Sequence, residues 1–185
     1  MTYASIATVY NGTRYRSRLE ARWACFFDML SWRYEYEPFD LNGWIPDFML
    51  FGAEKVLVEV KPFTAEKEFN IKKIWDSVTD TEYSTNEILL IGVSIFPTNY
   101  FDGAALGWLE EMGFKGEYPD GNVRGAIDEA VINHWHGAYG FFHGSHSWRD
   151  RMTGLYDGDG MLDVPSFNDM KFLWNEAGSE VQWKK

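Results

Sequence analysis

The chain has 185 residues, one cysteine and a formal net charge of −11, with 45% hydrophobic and 24% charged residues. It is long enough to bury a sizeable core in one domain, too poor in cysteine for an internal disulfide, and without an apolar run near the roughly 20 residues that span a bilayer. The acidity taken alone opposes a polyanionic ligand, because phosphate binding draws on lysine and arginine, yet the charge is uneven: residues 1–35 hold five arginines against Glu20, Asp28 and Glu35, whereas residues 36–100 sum to −6 and residues 101–185 to −7.

The first clear element is a helix from Ser17 to Leu30, with Leu19, Trp23, Phe26 and Leu30 as its buried stripe. Ser17 followed by Glu20 three residues later is a capping-box signature. Glu20 therefore has two readings, as a cap for the helix start and as an extra acid near a metal. Arg33-Tyr34-Glu35-Tyr36-Glu37 alternates like a half-exposed strand, and Asn42-Gly43 marks a turn. Strands are expected over 44–50 and 56–61. In the second of these Val56, Val58 and Val60 line one face and Glu59 and Lys61 share the other. Burying charge is costly unless it is paired or bound to a metal, so the acid and the lysine in this valine-rich strand point to function.

A helix is expected from Ala65 to Thr79, with Lys67, Lys72 and Lys73 on its exposed side, and then a buried strand at 87–93. The order helix, three strands, helix, strand predicts an α/β fold with a mixed sheet flanked by helices and a right-handed crossover between parallel strands. Past residue 95 glycines punctuate the chain. Arg124–Trp135 reads as helical, Asp157-Gly158-Asp159-Gly160 as a turn and Phe167–Ala177 as an amphipathic helix. No linker or repeat divides the chain, so the expectation is one domain over residues 1–185, with a core at about 10–95 and a C-terminal elaboration at about 96–185.

Several motifs carry weaker signals. His134, His136, His143 and His146 lie within thirteen residues, and His134 with His136 would share a strand face as metal ligands but diverge on a helix. Asp157 to Asp163 has the acids of a calcium loop, but Leu162 stands where its glycine is required. Cys25, beside Phe26 on the first helix, is read as core. The 18% aromatic content points mainly to an aromatic core, with base-stacking surfaces as the lesser reading. The start of the chain lacks a basic segment followed by a long apolar one, so a cytoplasmic protein is expected.

Arg16-Ser17-Arg18-Leu19-Glu20-Ala21-Arg22-Trp23-Ala24, Tyr36-Glu37-Pro38, Pro46-Asp47-Phe48 and Glu59-Val60-Lys61-Pro62 together resemble the PD-(D/E)XK nuclease superfamily. They are most similar to its small, often phage-encoded members. The resemblance covers about residues 10–95 and implies a restriction-endonuclease-like α-β-β-β-α-β core. It also implies a metal-dependent endonuclease of phage or mobile-element type acting on DNA. Lys72 and Lys73 stand on the helix where the RecB-like subgroup carries Gln and Tyr, which disfavours that subgroup. Many relatives cut both strands as dimers, which makes a homodimer one expected form, although no dimerisation face is readable.

The chemistry suits those residues. A phosphodiester is anionic, so its hydrolysis needs charge neutralisation, an activated nucleophile and a stabilised leaving oxygen, all of which a divalent metal supplies. Magnesium takes hard oxygen ligands, so the expected cofactor is Mg²⁺ or Mn²⁺ held by Asp47 and Glu59. By resemblance the Val60 carbonyl is a further ligand, with Glu20 binding directly or through water. Lys61 is expected to orient or deprotonate the attacking water or to stabilise the transition state. Arg14, Arg16, Arg18, Arg22, Lys72 and Lys73 are the expected DNA contacts. The rival expectation is a catalytically silent nucleic-acid-binding or assembly protein that keeps the fold.

Overall fold

The computed structural model describes residues 5–111, 126–145, 149–156 and 163–182. A hairpin opens the chain: β1 (Thr8–Tyr10) and β2 (Thr13–Tyr15) pair antiparallel around Asn11 and Gly12, whose φ values of 46° and 78° suit the tight turns that flank twisted strands. Next comes α1 (Arg18–Met29). The Ser17 Oγ accepts the Glu20 amide at 3.1 Å, as the capping signature predicts.

The expected helix, three strands, helix, strand order follows. These are α1, β3 (Tyr34–Tyr36), β4 (Phe48–Phe51), β5 (Lys55–Val60), α2 (Ile71–Val78) and β6 (Glu87–Ile91). The turn at Asn42-Gly43 is present, with φ of 51° and 88°. Two boundaries differ from the sequence reading. β4 begins at Phe48 rather than at residue 44, because Trp44 closes a bridge to Leu41 and Pro46 has no amide to donate. The expected 65–79 helix splits into a 3-10 turn at Glu66–Glu68 and α2, because the Glu68 carboxylate caps the Thr64 and Ala65 amides and Asn70 caps the helix proper.

After β6 come β7 (Phe96–Pro97), β8 (Ala104–Glu111), β9 (Ala126–Trp135), β10 (Ala138–His143) and α3 (Phe167–Glu180). The strands form one mixed sheet in the order β10-β9-β8-β6-β5-β4-β3, with β7 beside β8. β5 and β6 run parallel across the α2 connection. The stretch expected to be an elaboration thus continues the sheet past β6. Arg124–Trp135, expected to be helical, lies partly outside the described residues; from Ala126 on it is a strand paired on both sides. Ala130, Val131, Ile132 and Asn133 are all buried, and a strand covered on both faces carries no period-two alternation to betray it.

The two faces of the sheet bury different cores. α1 and α3 pack with Phe48, Val56, Val58, Val60 and Leu89, and Trp23 lies against Trp174 at 4.4 Å between ring centroids. α2 covers Met49, Leu57, Ile88 and Leu90 from the other side. Cys25 sits within the first core, 1% exposed. The Trp23 indole donates to the Gly92 carbonyl at 2.9 Å and fixes α1 against the end of β6. Among the described residues no helix is long and apolar enough to cross a membrane.

Candidate functional site

Asp47 precedes β4, and Glu59 and Lys61 sit at the end of β5. The pairing of Phe48 with Val58 brings Asp47 beside Glu59, on the sheet face that α2 covers. Each carboxylate has one oxygen anchored by a donor on a rigid element. The Glu59 Oε2 accepts the Trp44 indole N–H at 2.9 Å, and the Asp47 Oδ2 accepts the Val60 amide at 2.7 Å. The Lys61 ammonium lies 2.6 Å from Glu59 Oε1, 3.0 Å from the Val60 carbonyl oxygen and 3.4 Å from Asp47 Oδ2. Three hard oxygens, from two carboxylates and one backbone carbonyl, therefore converge on one positive centre. They are the same three that the resemblance assigns to the metal, so the donor set fits Mg²⁺ or Mn²⁺.

A second cation closes the other side. Arg16 Nη2 reaches Asp47 Oδ1 at 2.5 Å, and its Nε lies 2.6 Å from Glu37 Oε1 and 4.0 Å from Glu20 Oε2. Glu37 adopts φ of 47°, a left-handed conformation uncommon outside glycine and asparagine, and its amide donates to the Asp47 carbonyl at 3.1 Å. Glu20 is saturated by protein donors: its Oε2 accepts the Tyr36 hydroxyl at 2.6 Å and the Arg16 amide at 3.1 Å, and its Oε1 accepts the Ser17 hydroxyl at 2.8 Å. The structure thus places Glu20 behind Arg16, apart from the oxygens gathered around Lys61.

Four carboxylates, of Glu20, Glu37, Asp47 and Glu59, face two cations, which leaves a formal −2. The surplus shows in the titration. Burial, reinforced by the Glu59 and Glu20 charges, outweighs Lys61 and the Val60 amide and pushes the Asp47 carboxyl up to about 6. Burial pulls Lys61 down, but the Asp47 and Glu59 carboxylates more than offset it and hold the ammonium above the usual lysine value. Lys61 is therefore a proton-bearing group here and not a ready base.

A cleft of about 210 Å³ opens beside Glu59 and Lys61, walled by Trp44, Phe63 and Phe69 and rimmed by Lys73 of α2. The Lys61–Phe63 turn is tightly held: the Phe63 amide donates to the Lys61 carbonyl at 2.7 Å and the Phe63 carbonyl accepts the Val93 amide at 3.0 Å. A Cβ at position 92 would stand 2.3 Å from that carbonyl oxygen, so the close approach requires Gly92.

The expected DNA contacts separate into groups. Arg14 on β2, Arg18 in the first turn of α1 and Lys73 are exposed. Lys72 is exposed but paired with Asp76 at 2.7 Å. Arg22 is turned inward: its guanidinium donates twice to the Trp174 carbonyl, at 3.1 and 2.7 Å, and lies 4.0 Å from the Trp174 ring centroid. Arg22 is thereby a tie between α1 and α3 and not the surface contact expected of it, because on α1 it falls on the side that meets α3. Arg16 is likewise spent on carboxylates.

Among the described residues the histidines do not assemble. His134 is the penultimate residue of β9, opposite Tyr139, His136 stands in the following turn with φ of 46°, and His143 is fully buried on β10; His146 and Asp157–Gly160 lie outside the described residues. Among the described residues no group of three or more His, Cys, Asp or Glu side chains is placed to hold a metal; the Asp47–Glu59 pair takes its third oxygen from the backbone.

The sequence reading gave no site role to Trp44 or Phe63 and none to Arg16 toward the carboxylates, and it used Tyr36 and Glu37 only as part of a motif that carries the resemblance. Trp44, three residues before Asp47 and beside a turn, was the one visible clue. No family model matches the chain, and neither a curated protein nor a solved structure matches it.

Proposed function

We propose that the chain is a PD-(D/E)XK-type nuclease with a restriction-endonuclease-like core, hydrolysing phosphodiester bonds of DNA with Mg²⁺ or Mn²⁺ as an endonuclease. The observation that carries this reading is the convergence of Asp47, Glu59 and the Val60 carbonyl on one cationic point, in a pocket with two negative charges to spare.

Asp47, Glu59 and the Val60 carbonyl would hold the metal, which when bound supplies charge neutralisation and Lewis acidity at the scissile phosphate. With those oxygens engaged elsewhere, Lys61 is released to point its protons at the phosphate. There it would stabilise charge that develops on the phosphoryl oxygens and orient the attacking water. Trp44 aims Glu59, and Arg16 aims Asp47 with Glu20, Tyr36 and Glu37 fixing its guanidinium. Such outer partners are usually worth 10–100-fold in metal affinity or activity.

The test is cleavage of labelled linear, supercoiled and branched DNA with Mn²⁺ or Mg²⁺. Asp47→Asn and Lys61→Ala should each abolish cutting while circular dichroism shows a folded chain. If both variants cut as well as the unaltered protein, the site is wrongly assigned. One observation favours a second reading, a catalytically silent DNA-binding or assembly protein: Lys61 and Arg16 already pair with both carboxylates. Such a protein would bind DNA equally with and without divalent metal, and Glu59→Gln would leave that binding unchanged.

A further inference from the structure

We infer that the cleft beside Glu59 and Lys61 receives a single unstacked base, so that the site acts on DNA that is unpaired next to the scissile bond. This rests on the nuclease reading above and names its substrate class.

The cleft measures about 210 Å³, below the roughly 300 Å³ at which pockets for drug-sized ligands begin. It has room for one heterocycle and none for a duplex. Its apolar lining is mostly aromatic, with Trp44, Phe63 and Phe69 beside Ile74. Trp44 and Phe69 are buried, and Phe63 is the half-buried ring that leaves surface open for stacking. Phe63 stands edge-on to Phe69 at 5.1 Å and is held through its backbone to Lys61 and Val93, which makes it a rigid platform. Glu59 and Lys61 line the same cleft, so a base seated there brings its own backbone to the candidate catalytic groups.

The charges at the rim agree. Lys73 is exposed and enters no ion pair among the described residues, whereas the rim carboxylate, Glu68, is occupied by the Thr64 and Ala65 amides at 2.9 and 2.8 Å. A phosphate beside the base thus meets a free cation and a committed acid. The chain as a whole is acidic, at −11, and Arg16, Arg22 and Lys72 are engaged internally, so its net charge opposes a long run of phosphates. Stacking on aromatic side chains is the alternative source of affinity, and it costs least where the base is already unpaired.

The experiment is fluorescence titration of the metal-free protein with oligonucleotides that carry one 2-aminopurine, placed in a single strand, in a one-nucleotide gap or in a full duplex. Saturable quenching is expected with the single strand and the gap, and at least tenfold weaker binding with the duplex. Phe63→Ala should weaken single-strand binding by roughly 5- to 150-fold, the span of one lost base stack, and Phe63→Tyr should restore it. With Mn²⁺ present, Phe63→Ala should raise KM more than it lowers kcat. Equal binding of duplex and single strand, or unchanged quenching by Phe63→Ala, overturns the assignment. If Phe63→Ala does not fold, the single-strand against duplex comparison on the unaltered protein, with Lys73→Ala as a surface variant, decides it. Failure of the cleft alone leaves cleavage that Asp47→Asn still abolishes. Failure of the nuclease reading shows as cleavage indifferent to Asp47→Asn, or as none on any substrate.

Discussion

Trp44 acts on the site through one atom. Its indole N–H is the donor that holds Glu59 Oε2, leaving Oε1 to face Lys61. Trp44→Phe keeps much of the apolar wall and removes the donor. Metal-dependent cleavage should fall about 10- to 100-fold, with the Mn²⁺ concentration at half-maximal rate rising in step, and a Mn²⁺ titration of the rate measures both. Glu110 is a residue of another kind. It is fully buried on β8 under α2, with no hydrogen bond to either oxygen among the described residues, and burial pushes its carboxyl up from 4.5 to about 8, against the opposing pull of the nearby Trp75 indole. The folded chain keeps a proton on Glu110 that the unfolded chain has lost throughout that window, so the contribution of Glu110 to stability falls as pH rises from about 4.5 to 8 and is flat on either side. Glu110→Gln mimics the protonated form. The variant should melt with the unaltered protein at pH 4.5 and more stably at pH 8.5, by an amount on the order of a few kcal/mol. Equal melting temperatures at pH 8.5 would show that the carboxylate is accommodated after all.

At the scale of elements, the site depends on α1 being locked in place, since α1 and its cap present Arg16 and Glu20. Arg22 is part of that lock, with two hydrogen bonds to the Trp174 carbonyl and a guanidinium over the indole ring. Arg22→Ala should cost about 1.5–3 kcal/mol, read as a drop of roughly 3–10 °C in melting temperature for a chain of this size. DNA affinity should not change beyond that loss of folded protein, which separates a structural arginine from a phosphate contact. The elements that were legible in the sequence are those with local cause. Ser17 and the Leu19–Trp23–Phe26 stripe mark α1, and the alternation of Val56–Val60 against Glu59 and Lys61 marks β5 and its charged face. β9 was not legible, because its hydrogen-bond partners, β8 and β10, decide its state and its buried run fits either period. Asp47, Glu59 and Lys61 could be grouped from strand geometry alone. The Arg16 clamp could not, since it joins residues 31 apart through a left-handed Glu37 that no local pattern requires.

The whole molecule sets a limit on how it can hold DNA. Of the cations expected to touch phosphate, Arg16, Arg22 and Lys72 are engaged by the protein itself, which leaves Arg14, Arg18 and Lys73, with Lys61 added once its oxygens are taken by metal. Each phosphate neutralised on a single strand contributes roughly −0.7 to the slope of log K against log salt. Four contacts therefore predict a slope of about −3, equivalent to about a 50-fold loss of affinity between 50 and 200 mM salt. The surrounding surface, acidic on balance, adds repulsion that salt screens, which makes the slope shallower still. Fluorescence titrations of a single-stranded oligonucleotide across that salt range would measure it, with Lys73→Ala reducing the slope by about one contact. A slope of about −4 or steeper would mean that the inward-turned arginines are released to phosphate when DNA binds, and that the ion pairs around Asp47 rearrange with it.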